Sequence, residues 1–220
     1  DITELNKERL ILDSVGHDTL ASMVSDIMDL VDTSVAIYER NGDYAFGAFV
    51  SVWCQYMDAV SRRLCNTEDN QEALTCGRWL CHENCWHDSA KAAMATGEPT
   101  DITCVGGINL YGVPIRAGDE IIGAINIGYG NPPTDKETIH ELAQKFRVSP
   151  DALMERAKAY RRRPPFLVTV AKARLHAVAR LIGEIVERRQ AQEALRESEE
   201  RVRIITETSD AALFERRLPG

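Results

Sequence analysis

The sequence predicts an α+β fold in which an antiparallel sheet is covered by helices and a long helix closes the chain. Three observations predict it. Two pairs of β-rich runs are joined by tight turns, which calls for hairpins. Apolar residues elsewhere recur at three- and four-residue intervals, the period of helices with one buried stripe. From Pro165 onward a long helical pattern carries an apolar seam close to a heptad.

The first helix runs to about Asp32, with Leu20, Met23, Val24, Ile27, Met28 and Val31 on one stripe that should pack on a sheet. The runs S-V-A-I-Y-E and D-Y-A-F-G-A-F-V flank R-N-G-D, and Asn-Gly between β-rich runs is the strongest short-range hairpin signal. From Ser51 to about Thr96 the pattern is helical, until Gly97-Glu98-Pro99 stops it. Three strands follow, at residues 100–104, 108–115 and 120–127, the last two joined by R-A-G-D. In I-I-G-A-I-N-I-G small residues face one way, which suits a sheet whose second face lies under a helix or ligand. Thr134 is the expected N-cap of the next helix, and Ser149-Pro150-Asp151 opens another with proline at its first position. In the final helix Leu175, Val178, Ile182 and Ile185 form a seam that needs a partner helix, followed by Leu195, Val202 and Ile205. The close, A-A-L-F-E-R-R-L-P-G, reads as a strand entering a turn, so the chain is expected to be an excised fragment.

With 220 residues, 44% of them hydrophobic, the chain can form one substantial domain and an appendage. A net charge of −8 argues against nucleic acid or an anionic membrane as a general partner. No run approaches the roughly 20 apolar residues needed to span a bilayer, and the start lacks the pattern of a signal peptide. A cytoplasmic location is therefore expected. There, six cysteines are not expected to be structural disulfides, leaving free thiols, metal ligation or redox chemistry.

All six cysteines fall between Cys54 and Cys104, and Cys76, Cys81 and Cys85 crowd into one stretch. Cys81 and Cys85 are one helical turn apart, so their thiols share a face. Thiolates are the soft ligands of zinc and iron–sulfur clusters, and the preferred set is Cys54, Cys81, Cys85 and Cys104, with Cys76 in reserve. No C-x-x-C pair is present, and cysteine also packs as a small hydrophobe. Trp53, Trp79 and Trp86 beside the cysteines suit a core or a pocket wall. His82 and His87 are expected on a solvated helix face. Asn109, Tyr111 and Asn126 are polar residues in apolar strands, which either meet a ligand or point to solvent.

No G-x-S-x-G, Walker loop, H-E-x-x-H or Rossmann fingerprint is present. Cys85, His87 and Asp88 imitate a thiol triad only weakly, because neighbours on one helical turn point apart. Catalysis within the fragment is not expected.

The succession F-V-S-V-W-C, C-W-H-D-S-A-K-A-A-M-A-T-G-E-P, T-C-V-G-G-I-N-L-Y-G-V-P-I and G-D-E-I-I-G-A-I-N-I-G resembles the PocR sensory domain, a PAS/GAF-like ligand-binding module of bacterial and archaeal regulators. The likeness covers about residues 13–165. It implies site positions at Cys54, at Cys85 with Asp88, and at Cys104 with Gly107. Val105 stands where histidine is usual, so the family's ligand does not carry over unexamined. With Trp53, Asn109, Tyr111 and Asn126 these cysteines and Asp88 form the expected ligand site. The tail R-Q-A-Q-E-A-L-R-E-S-E-E-R-V-R-I-I-T-E-T-S-D-A-A-L-F-E resembles the linker and first strand of a PAS domain in sensor histidine kinases.

These likenesses imply an N-terminal lead-in at 1–12, a sensory domain at 13–165, a signalling helix at 166–206 and the start of a PAS domain at 207–220. The implied function is an input domain of a signal-transduction protein, foremost a sensor histidine kinase, that binds a small molecule and signals through a dimeric helix to a downstream module. The alternative is a metal, iron–sulfur or redox sensor built on the cysteines.

Overall fold

The computed structural model describes residues 9–160 and 163–215, excluding the side chains of Gln71 and of residues 207–215. Where the sequence predicts one opening helix there are two, α1 (Leu10–Val15) and α2 (His17–Val31), parted at Gly16. Leu20, Val24, Ile27 and Val31 are buried as the stripe requires, with Met23 and Met28 at its margin. Residue Arg9 supplies no side-chain cap to α1. The carboxylate of buried Glu39 accepts the N–H groups of Ile11 (3.0 Å) and Leu12 (2.9 Å) instead, so a strand end caps the helix.

Glu39 ends β1 (Val35–Glu39), which pairs through the Asn41-Gly42 turn with β2 (Tyr44–Ala48). The strands β3 (Thr100–Thr103), β4 (Asn109–Ala117) and β5 (Glu120–Tyr129) complete a five-stranded sheet of order β2-β1-β5-β4-β3, every pair antiparallel. The α+β class with helices covering an antiparallel sheet is thus observed.

Side chains alternate between two faces. Val35, Ile37, Val113, Ile115, Ile125 and Ile127 form the larger core with α1, α2 and the C-terminal helix. Ala36, Tyr38 and Ala124 turn the other way and pack with Trp86 and Ala90. This second face is the one lined with small residues.

The single helix predicted from Ser51 to Thr96 is several pieces. Helix α3 (Val52–Arg63) is capped by the Ser51 hydroxyl, and α4 (Asn70–Thr75) by Asp69, which accepts the Glu72 N–H at 2.9 Å. Gly77, with φ of 66°, takes a backbone conformation that other residues adopt only under strain, and it ends the run that carries Cys76. The chain resumes as α5 (Leu80–Glu83), widens into a π-helical stretch (Asn84–Lys91) and finishes as α6 (Ala92–Thr96) before Gly97.

Helix α7 (Lys136–Phe146) is capped by Asp135, not by the expected Thr134, its carboxylate accepting the Thr138 N–H at 2.8 Å. Ser149-Pro150 opens α8 (Pro150–Ala159) as predicted. The last helix, α9 (Pro165–Glu215), is 51 residues long.

The seam of α9 finds its partner within the chain. Ala171, Leu175, Val178, Ala179, Ile182 and Val186 are buried against the larger core, while Ile185 is only half-buried. Leu195, Val202, Ile204 and Ile205 beyond it are exposed. The helix continues to Glu215 through residues 211–215, expected as strand; the rest of that segment, 216–220, lies outside the described residues. Among the described residues no helix is long and apolar enough to cross a membrane.

Candidate functional site

The small-residue face of the sheet does not meet the middle helices flush. Between it, α3, the start of the π-helical stretch and the 104–108 loop lies a cavity of about 50 Å³. Such a volume holds roughly four waters or a compact organic group. Ser34, Ala36, Leu110, Asn126 and Gly128 line it from the sheet side, and Phe49, Trp53, Cys54, Met57 and Asp58 from α3 and its approach. Cys81, Asn84 and Cys85 close the third side, and Cys104, Val105, Gly106 and Ile108 the fourth.

Local chemistry holds these walls. The buried indole of Trp53 donates to the Gly106 carbonyl (3.0 Å), fastening α3 to the 104–108 loop. Asn126 donates to the Cys85 carbonyl (2.9 Å), tying β5 to the π-helical stretch, where the widened backbone frees carbonyls from the usual helical pairing. The Asn84 amide oxygen accepts the Val105 N–H (2.7 Å). Ser34 lines the cavity with its hydroxyl buried and without a hydrogen-bond partner of good geometry.

The four preferred cysteines, Cys54, Cys81, Cys85 and Cys104, converge on this one cavity from separate elements. Burial pushes the Cys54 thiol up to about 12, with repulsion between it and Cys104 as thiolates adding to the rise, and likewise raises Cys81, Cys85 and Cys104. All four are neutral thiols at pH 7 in this arrangement. Among the described residues no three of histidine, cysteine, aspartate and glutamate stand close enough to hold a metal ion. The thiols therefore share a cavity without forming a coordination shell.

The structure sorts the remaining candidates. Trp53, Asn109 and Asn126 line the cavity with the cysteines. Asp88 is exposed and reaches the site only through its hydrogen bond to Asn84. Tyr111 projects from the opposite face, where its hydroxyl meets His176 of α9 at 2.8 Å. Cys76, the reserve ligand, lies away from the cavity beside Cys65, because the Gly77 break separates it from the helix of Cys81 and Cys85. His82 is not on a solvated face: it is 4% exposed, with its Nδ1 3.0 Å from the Tyr44 hydroxyl. His87 is exposed and pairs with Glu83.

Asp58 is the acid of the cavity, a residue the sequence reading passed over. The Trp79 indole donates to it at 2.7 Å, yet burial outweighs this bond and the nearby Arg62 charge, pushing the carboxyl up to about 6. The signal for it was its place four residues after Cys54, on the same face of α3. Trp79 and Trp86 serve as supports, Trp79 holding Asp58 and Trp86 stacking at 5.3 Å on Tyr38.

A family model described as a sensory domain found in PocR matches residues 13–188. No curated protein and no solved structure matches the chain.

Proposed function

We propose that this chain, which belongs to the family of sensory domains found in PocR, senses a compact organic molecule in the thiol-walled cavity and passes its occupancy to α9. The observation that carries this reading is an apolar cavity whose wall holds the buried Ser34 hydroxyl, beside the Cys54 thiol, and the Asp58 carboxyl. Apolar walls with a few fixed polar groups are the usual composition of a small-molecule site.

The signal has a short physical route. Occupancy spreads the sheet from the π-helical stretch, and α9 lies on the other face of that sheet, touching β4 and β5. To shift a two-state sensor from 1:99 to 99:1, a ligand needs about 5.5 kcal/mol of differential binding. In the full protein the distal half of α9 joins the same helix of a second copy and leads to a downstream output module, foremost a histidine kinase, in the cytoplasm. Its exposed Leu195, Val202 and Ile205 support that pairing.

The test is a thermal-shift and calorimetric screen of small alcohols, diols, carboxylic acids and amines. A binder should raise the melting temperature, and Cys85→Leu, which fills the cavity, should abolish the rise while leaving the fold intact. If the leucine variant responds as well as the parent, the molecule binds elsewhere and this reading is lost.

The convergence of four thiols favours a second reading as a metal or redox sensor. It requires the sulfurs to close in and lose their protons on loading. Elemental analysis and visible absorption of anaerobically purified protein, compared with a Cys81→Ala variant, separate the two.

A further inference from the structure

Two cysteines lie outside the cavity, and they lie together. Cys65 follows the end of α3 and is buried, while Cys76 sits half-exposed just after α4. The Cys65 thiol points at the Ala73 carbonyl (3.7 Å), and the Cys76 N–H points at the same oxygen (3.4 Å). Both cysteines thus reach one carbonyl oxygen, and each thiol bears on the ionisation of the other.

Their surroundings favour one thiolate. The Cys76 sulfur accepts the Arg78 N–H at 3.3 Å, and the Arg78 guanidinium reaches the Cys65 carbonyl at 3.3 Å. Arg62 clamps the intervening loop through the carbonyls of Thr67, Glu68 and Asp69. Desolvation opposes ionisation of Cys76, but the Cys65 thiol, the N–H groups of Arg78 and Trp79 and the Arg78 charge outweigh it and lower its pKa. Burial and the neighbouring Cys76 raise that of Cys65. One sulfur is set up as the attacking thiolate and the other as the resolving thiol, the division expected of an oxidisable pair.

We propose that Cys65 and Cys76 form a peroxide-sensitive dithiol, separate from the ligand cavity, that closes to a disulfide. The Cys76 thiolate attacks a hydroperoxide: an S–O bond forms, the O–O bond breaks, and the departing oxygen takes up a proton to leave as alcohol or water. The Cys65 sulfur then attacks the Cys76 sulfenic acid, forming the S–S bond as the S–O bond breaks. Hydroxide leaves with the Cys65 proton as water. The two sulfurs together give up two electrons, and the peroxide accepts them. The bond would pin the end of α3 to the segment carrying Trp79, whose indole holds Asp58 in the cavity wall.

The test uses the full chain, reduced and then treated with hydrogen peroxide, alkylated and digested without reductant for mass spectrometry. The expected product is a Cys65–Cys76 linked peptide lighter by two hydrogens. In Cys65→Ser, dimedone should trap the sulfenic acid at Cys76; in Cys76→Ser, neither the link nor a label at Cys65 should form. Cys76 of the untreated protein should alkylate at pH 7 about tenfold faster than the cavity thiols. That measurement and the parent mapping stand even if Cys65→Ser fails to fold. Recovery of Cys65 and Cys76 as separate alkylated peptides, after a dose that oxidises dithiothreitol in the same buffer, overturns the proposal. So does a link formed between either one and a cavity cysteine.

Discussion

The Lys172 ammonium lies 2.5 Å from the Asp101 carboxylate, so the early turns of α9 are pinned to the edge strand β3. The same ammonium meets the Tyr129 hydroxyl (3.0 Å) and lies over the Tyr111 ring (4.5 Å). One cation thus joins α9 to β3, β4 and β5, while residues 109 and 110 of β4 line the cavity from the opposite side. Lys172→Met keeps the stem and removes the charge. It should cost about 1 kcal/mol, since both partners are partly solvated. Hydrogen exchange of residues 165–176 should quicken while that of residues 182–186 stays unchanged, and uniform exchange across α9 would deny the pin its role.

Further along α9, Gly183 meets the β4–β5 hairpin backbone to backbone. A Cβ at this position would stand 1.7 Å from the Arg116 carbonyl oxygen, a contact that no rotamer change relieves. Gly183→Ala should therefore destabilise by about 1–3 kcal/mol, despite the higher helix propensity of alanine. A urea midpoint equal to or above that of the parent would show that the helix can lift off at no cost.

Buried His82 and half-buried Asp58 give opposite pH dependence. Burial, and after it His87, holds His82 down to about 4, against 6.5 for a free histidine. Between those values the unfolded chain binds the proton that native His82 refuses, so stability falls as pH drops from 6.5 to about 4. Asp58 acts the other way: its carboxyl, raised from 3.8 to about 6, makes stability fall as pH rises through that window. His82→Gln should remove an acid-side loss of about 3 kcal/mol, and Asp58→Asn should stabilise the protein above pH 6 by on the order of 2 kcal/mol. Urea titrations of each variant across this range would show parallel curves if neither group is shifted.

Trp53 supports the cavity by a hydrogen bond as well as by volume. Trp53→Phe retains most of the packing but leaves the Gly106 carbonyl without its donor, at a cost of about 1–3 kcal/mol. Exchange of the 104–108 loop should accelerate in this variant. Protection equal to the parent's would mean that α3 does not hold the loop.

The exposed apolar residues of distal α9 account for the proposed dimer. Leu195→Glu with Val202→Glu should abolish self-association in sedimentation experiments, while the melting transition of the sensory core moves by no more than about 0.5 kcal/mol. A dimer that persists would place the contact elsewhere.

The sheet and its hairpins were legible because their signals are local. Asn41-Gly42 and R-A-G-D set the turns, and the alternation in residues 121–128 separated the small-residue face from the isoleucine face. The convergence of Cys54, Cys85 and Cys104 was legible only through a resemblance, since no spacing relates three cysteines on three elements. The middle helix was overextended. Its breaks rest on the Asp69 cap and the left-handed Gly77, both weaker signals than the apolar period that surrounds them.

The sequence by itself determined the class of fold, the order of its elements and the family, because period, turn chemistry and motif order act along the chain. Tertiary structure alone decided the rest. It put Asp58 in the cavity and Asp88 in solvent, turned Tyr111 toward α9, and gave the seam of α9 a sheet as its partner. Each depends on which face meets which neighbour. A helical or strand period says that a face is apolar, but only packing in three dimensions says what covers it.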